Sequence, residues 1–340
     1  MTEQSKIPLP PEGDGKQGKS LFERASGTFG LGGFKPAPVP ADLAAPGVKR
    51  AVGTPASEPA IPVSTPSHAS VTETRGPATF EAPPAPVQPK AEPIRFGGAK
   101  YAIDRAHLRE QGLIEPEGAV TALLEEFRIV KRQLLRAAHE AQDEGEPNAQ
   151  RVLVCSPLPG EGKTFCATNL ALAIAAEKDS EVLLVDADFA KPSVLSVLGL
   201  PGGPGLMDAL ADPTIRVEEC VLATDIPGLW VLPAGNQTTR DSEYLASHRT
   251  AEVLDRLTQG APNRMVIFDS PPALAASPAA ELAKYVGQAL LIVRAEQTGQ
   301  SAIEDALSLL STCPDIKLLL NAALFSPSGR RFGSYYGYGA

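Results

Sequence analysis

The sequence predicts an α/β fold: a mostly parallel sheet with helices on both faces, preceded by a disordered N-terminal region. Three observations lead there. Apolar runs of strand length recur between stretches of helical spacing, the alternation that builds a parallel sheet covered on both sides. Two of those runs end in aspartate, as strands do when their carboxyl ends face a ligand. Composition also changes near residue 95, before which lie about half of the 33 prolines of a 340-residue chain.

Residues 1–95 are rich in Pro, Ala, Ser and Gly and lack apolar periodicity. Such a segment buries too little apolar surface to offset its chain entropy, so disorder is expected. Leu21–Arg24 and Phe29–Phe34 read as stray apolar residues within it, with a docking segment as the alternative. Residues 96–118 are expected to be a linker. Val120, Leu123, Leu124, Phe127, Val130, Leu134 and Leu135 then recur at helical spacing and predict an amphipathic helix over 119–140. That helix opens a domain expected to span 119–328.

The next elements carry chemistry. Val152–Cys155 reads as a strand, Phe165–Ala176 as an Ala/Leu-rich helix, and between them lies Ser156-Pro157-Leu158-Pro159-Gly160-Glu161-Gly162-Lys163-Thr164. A strand, a glycine-containing loop ending in Gly-Lys-Thr and a helix make a phosphate cradle, the mark of a P-loop NTPase fold. Backbone N–H groups converge on phosphate oxygens, and the helix N-terminus adds partial positive charge. Lys163 is expected to reach the β- and γ-phosphates and the Thr164 hydroxyl to ligate Mg²⁺. Pro157 stands where the regular G-x4-G-K-[ST] pattern has glycine.

Val182–Val185 runs into Asp186-Ala187-Asp188, and Met265–Phe268 into Asp269-Ser270-Pro271-Pro272. Carboxylates on two strand ends beside a phosphate loop are expected to hold metal and do catalytic work, with Asp269 in the Walker-B position. Further strands are expected at 229–233, 289–293 and 316–320, with helices around 242–259, 276–286 and 299–312.

The formal net charge of −9 and the absence of a Lys/Arg run argue against broad nucleic-acid or anionic-membrane binding. No stretch reaches the ~18 apolar residues that span a bilayer, and no signal-peptide core follows Met1, so a cytoplasmic protein is expected. The four cysteines have no C-x-x-C spacing and suggest neither a zinc site nor disulfides. Three of the six tyrosines, Tyr335, Tyr336 and Tyr338, fall among glycines in a tail over 329–340 that is expected to be flexible.

Taken together, Pro-Gly-Glu-Gly-Lys-Thr, Val-Asp-Ala-Asp, Phe-Asp-Ser-Pro-Pro, Leu232–Gly235, Glu125–Arg128 and the tyrosine cluster resemble the bacterial tyrosine kinases. More narrowly, the chain is similar to the tyrosine autokinases of exopolysaccharide and exosortase systems. The resemblance implies ATP and Mg²⁺ as cofactors, bound by Gly160, Glu161, Gly162, Lys163, Thr164 and Phe165, with Asn321 near the adenine. It implies that Thr164, Asp188 and Asp269 hold the metal, and that Lys163, Asp186, Asp188 and Asp269 are catalytic. One of Asp186 and Asp188 would help deprotonate a tyrosine while the other supports the metal. Tyr335, Tyr336 and Tyr338 would be the phosphorylated residues.

The family's Glu-x-x-Arg-x-x-Arg motif appears as Glu125, Arg128 and Lys131, and implies a ring-forming homo-oligomer. A transmembrane polysaccharide copolymerase would be the activating partner and would recruit the chain to the inner membrane. The alternative is a switch ATPase of the ParA/MinD type, without tyrosine kinase activity. That type carries a signature lysine where this chain has Leu158. An iron–sulfur carrier ATPase would need paired cysteine ligands, and a regulatory subunit would bind ATP without turnover.

Overall fold

The computed structural model describes residues 93–98 and 100–323. The disorder expected of residues 1–92 and the tail tyrosines Tyr335, Tyr336 and Tyr338 lie outside the described residues.

The elements begin with β1 (Lys100–Tyr101), α1 (Arg105–Glu110), α2 (Ala122–Asp143), β2 (Arg151–Cys155), α3 (Lys163–Ala175) and β3 (Glu181–Asp186). There follow α4 (Val194–Leu198), α5 (Leu206–Ala211), β4 (Leu222–Thr224), β5 (Leu229–Leu232), α6 (Asp241–Leu245) and α7 (Arg249–Thr258). Last come β6 (Arg264–Asp269), α8 (Pro278–Leu282), β7 (Gln288–Arg294), α9 (Gln300–Leu309) and β8 (Asp315–Asn321). The eight strands form one sheet in the order β1-β4-β5-β3-β6-β2-β7-β8. Every neighbouring pair is parallel except β4 with β5.

The sheet separates two apolar layers, and the period-2 geometry of strands assigns residues between them. Leu153, Leu183, Val185, Val266, Phe268, Ala289 and Leu291 point to one layer, which α5, α7, α8 and α9 cover. Val152, Val154, Val182, Leu184, Ile267, Leu290 and Ile292 point to the other, beneath α1, α2, α3 and α4. Central strands buried on both faces read as continuous apolar runs for this reason.

Helix α2 starts where Thr121 accepts a hydrogen bond from the Leu124 N–H at 3.1 Å, an N-cap with Glu125 in the first turn. Segment 96–118 is not a linker. It supplies β1 and α1 and buries Phe96, Ile103, Leu108, Leu113 and Ile114. The helix expected over 242–259 is two. The Ser247 and Thr250 hydroxyls donate to the Tyr244 carbonyl at 2.6 and 3.0 Å, ending α6 before α7 begins. Leu232–Gly235 forms a junction with α5. The Leu206 and Met207 N–H groups bond the Pro233 and Ala234 carbonyls, and a Cβ on Gly205 would come within 2.1 Å of Pro233 O.

Candidate functional site

The site lies at the carboxyl ends of β2, β3 and β6, which are adjacent in the sheet. Between β2 and α3 the loop shapes itself with local bonds: the Ser156 hydroxyl donates to the Leu158 carbonyl at 2.7 Å, and the Leu158 N–H donates to Glu161 Oε2 at 2.8 Å. Gly162, the residue that caps α3, has φ +92°, and a Cβ there would meet Asn321 Nδ2 at 2.3 Å. Two constraints, a left-handed backbone and a neighbour in contact, select glycine at that position. No side chain caps α3, so its first N–H groups are left for an anion. Lys163, at the head of the helix, is buried.

The register of β3 with β6 sets Asp186 directly opposite Asp269. Asp186 is 1% exposed and fully engaged. Its Oδ2 accepts from the Ser193 and Val194 N–H groups at 2.8 and 2.9 Å, and its Oδ1 from Asp188 N–H at 3.2 Å. Burial nevertheless pushes its carboxyl up to about 6, the backbone donors offsetting part of the effect. Asp269 is 0% exposed, and neither of its oxygens has a hydrogen-bond partner. Burial, with the charges of Asp186 and Asp188 added, pushes it up to about 7, while Thr164 and Lys163 pull it partway back. Asp188 is only half-buried, and its Oδ1 accepts from Lys191 N–H at 3.1 Å. The Thr164 hydroxyl lies 3.1 Å from that of Ser193.

A buried carboxylate with both oxygens unpartnered, a hydroxyl at the start of the helix and a second carboxylate near solvent suit a hard divalent cation that takes its remaining ligands from a phosphate. Among the described residues no three His, Cys, Asp or Glu side chains cluster into a protein-only metal cage.

Other expected site residues fall in different places. Phe165 directs its ring into the layer beneath α1 and α2, beside Gly112, so only its backbone faces the loop. Asn321 donates from Nδ2 to the Glu161 carbonyl at 2.8 Å, which makes it a brace of the loop. Glu125 and Arg128 pair with each other along α2. Lys131 departs from that stripe. It is 7% exposed, donates to the Ala173 carbonyl at 3.1 Å and pairs with Glu177, so it anchors α2 on the C-terminus of α3. Helical spacing placed these three residues on one side, but the face turns inward by Lys131 and the long stem reaches an open helix end. Sequence reading missed Ser193, Arg294 and Thr298, which no motif marks. All four cysteines are buried free thiols, and burial pushes Cys155 and Cys166 up to about 12, so they act as apolar filler.

No protein-family profile matches the chain. Against the tyrosine-protein kinase YwqD of Bacillus subtilis it is 30% identical over 214 residues, 63% of this chain and 85% of that protein. Against the tyrosine-protein kinase ptk of Acinetobacter johnsonii it is 30% identical over 177 residues, 52% of this chain and 23% of that one. The chain spans about a quarter of the length of the first curated relatives it matches. Among solved structures, the kinase domain of the Escherichia coli tyrosine kinase ETK superposes with a TM-score of 0.54 at 23% identity, over 67% of this chain and 90% of that domain. The chimerical protein CapA2B2 superposes with a TM-score of 0.52 at 24% identity, over 64% of this chain and 92% of that one. The P-loop NTPase fold expected from the sequence is thus the fold observed.

Proposed function

We propose that this chain, which belongs to the bacterial tyrosine-protein kinase family, binds Mg²⁺-ATP at the loop before α3 and transfers the γ-phosphoryl group to tyrosine. The acceptors are Tyr335, Tyr336 and Tyr338 of its own C-terminal segment. The observation that carries this reading is the pairing of an uncapped helix N-terminus with a fully buried, unpartnered Asp269. One feature receives anionic phosphate and the other receives a cation, and phosphoryl transfer needs both together.

Gly160, Gly162 and the first N–H groups of α3 receive the phosphates, and Lys163 balances charge on the β- and γ-phosphates. Thr164 and Asp269 would hold Mg²⁺ beside the phosphates. When bound, the ion neutralises charge that develops on the phosphate oxygens. Asp186 accepts three backbone N–H groups, so it positions the turn that carries Asp188 and Ser193. Asp188, half-buried and near solvent, is the group able to take the tyrosine proton as the phenolic oxygen attacks the γ-phosphorus and ADP departs. Transfer of this kind rests on positioning and charge, so a carboxylate of ordinary basicity suffices.

Glu125 and Arg128 serve ring assembly, in which one copy's tail reaches its neighbour's site. Activation comes from the cytosolic segment of a transmembrane polysaccharide copolymerase, which brings the chain to the inner membrane and ties it to exopolysaccharide synthesis and export. Incubation with Mg²⁺-ATP followed by intact-mass measurement tests the activity. The wild type is expected to gain phosphate while Lys163→Met does not. ATP hydrolysis by the wild type with no phosphotyrosine, in the presence of such an activator segment, supports a switch ATPase instead.

A further inference from the structure

The phosphate loop contains a carboxylate that the transfer chemistry does not use. Glu161 is 4% exposed although it sits in a loop that receives anions. A buried charge there opposes phosphate binding unless its bonds do something that outweighs the repulsion. One carboxylate oxygen bonds within the loop and the other to a group outside it. Glu161 Oε1 accepts from the Thr298 hydroxyl, and Oε2 accepts from the Leu158 N–H at 2.8 Å. The Thr298 hydroxyl also accepts from Arg294 N–H at 3.0 Å, so its single proton is directed at the carboxylate. Arg294 Nη1 donates to the Gly160 carbonyl at 3.1 Å, and Asn321 Nδ2 donates to the Glu161 carbonyl at 2.8 Å. The two bracing segments are tied together where Ala295 N–H meets the Asn321 carbonyl at 2.9 Å.

Backbone strain falls in the same place. Among the described residues, three that are not glycine have positive φ: Asp179, Glu296 and Ala322. Two of the three lie in the segments that brace the loop. Left-handed backbone in a residue with a Cβ persists only where surrounding bonds over-determine it, and it concentrates at functional sites.

We propose that Glu161, Thr298, Arg294 and Asn321 form a clasp that holds the phosphate loop in its receiving shape before nucleotide arrives, and that Thr298 is the positioning residue that sets nucleotide affinity. The clasp touches the loop from the side of β7 and β8, away from Asp186, Asp188 and Asp269. It therefore governs binding and leaves the transfer step alone. This inference rests on the nucleotide-binding reading of the site.

The test measures Mg²⁺-ATP binding and steady-state turnover for the full chain, for Thr298→Val, which keeps the shape and removes the hydroxyl, and for Thr298→Ser, which restores it. A hydrogen bond to a charged acceptor predicts about a tenfold rise in the ATP dissociation constant and in KM for Thr298→Val, with kcat within about twofold of wild type. Thr298→Ser is expected to return to wild-type affinity. Equal affinity for wild type and Thr298→Val overturns the clasp and leaves the nucleotide site standing. A fall in kcat at unchanged KM, or a loss that serine does not rescue, reduces Thr298 to a fold contact and overturns it as well. A wild type that binds no nucleotide overturns the reading beneath it.

Discussion

Asp269→Asn should make the nucleotide-free protein more stable at alkaline pH while abolishing phosphoryl transfer. In the native chain the Asp269 carboxyl rises from 3.8 to about 7, because burial disfavours its charged form by more than Thr164 and Lys163 restore. The native state therefore binds this proton more tightly than the unfolded chain does. Between about pH 4 and pH 7 unfolding releases it, and native stability falls as pH rises. Each pH unit costs about 1.4 kcal/mol, so by pH 7 the full penalty is about 4 kcal/mol, and above pH 7 it stays constant. Asparagine is neutral throughout and carries no such slope. The assay is thermal unfolding of wild type and Asp269→Asn without Mg²⁺ or nucleotide at pH 5, 6, 7 and 8.5. The stability difference in favour of asparagine should grow from pH 5 to pH 7 and then level off. Mg²⁺-ATP should raise the wild-type melting temperature at pH 8.5 and leave the variant unmoved. A difference that is flat with pH refutes the reasoning, because it means that Asp269 is not held as a buried, uncompensated acid.

Residues that share a motif in the sequence should respond differently to substitution. Asp188→Asn should keep the wild-type melting temperature and lose transfer, whereas Asp186→Ala orphans three backbone donors and should cost about 3 kcal/mol of stability as well as activity; circular dichroism melts and phosphotyrosine blots distinguish them. Lys131→Met leaves the Ala173 carbonyl without its donor, so a loss of about 1–3 kcal/mol is expected with no change in oligomeric state by light scattering. Arg128→Ala should instead reduce assembly at little cost to monomer stability.

Much of the fold could be read from the chain because its central strands are buried on both faces and form unbroken apolar runs. β2, β3 and β6 appear as such runs, and β3 and β6 end on Asp186 and Asp269. The two strands at one end of the sheet escaped notice. β1 and β4 are two and three residues long, too short for periodicity, and the buried Phe96 and Ile103 flank β1. The phosphate loop was legible as a motif, since glycine, lysine and threonine are fixed by what they must touch. Its braces were not, because Arg294 and Asn321 at strand ends and Thr298 in the turn after β7 reach it from more than a hundred residues away, and nothing in local spacing reports such a contact. Lys131 shows the opposite failure. A motif suggested an outward role, and tertiary packing took the ammonium inward to an open helix end.

The proposed reaction moves phosphate from ATP to the tyrosines of the C-terminal segment. The most direct measurement mixes wild type with isotope-labelled Lys163→Met in Mg²⁺-ATP and maps phosphate by peptide mass spectrometry. Phosphate on Tyr335, Tyr336 or Tyr338 of the labelled, inactive copy is the predicted result, since it requires both the site and delivery of one copy's tail to another. ATP consumed with every tail tyrosine of both copies unmodified, with or without a copolymerase segment, contradicts the account.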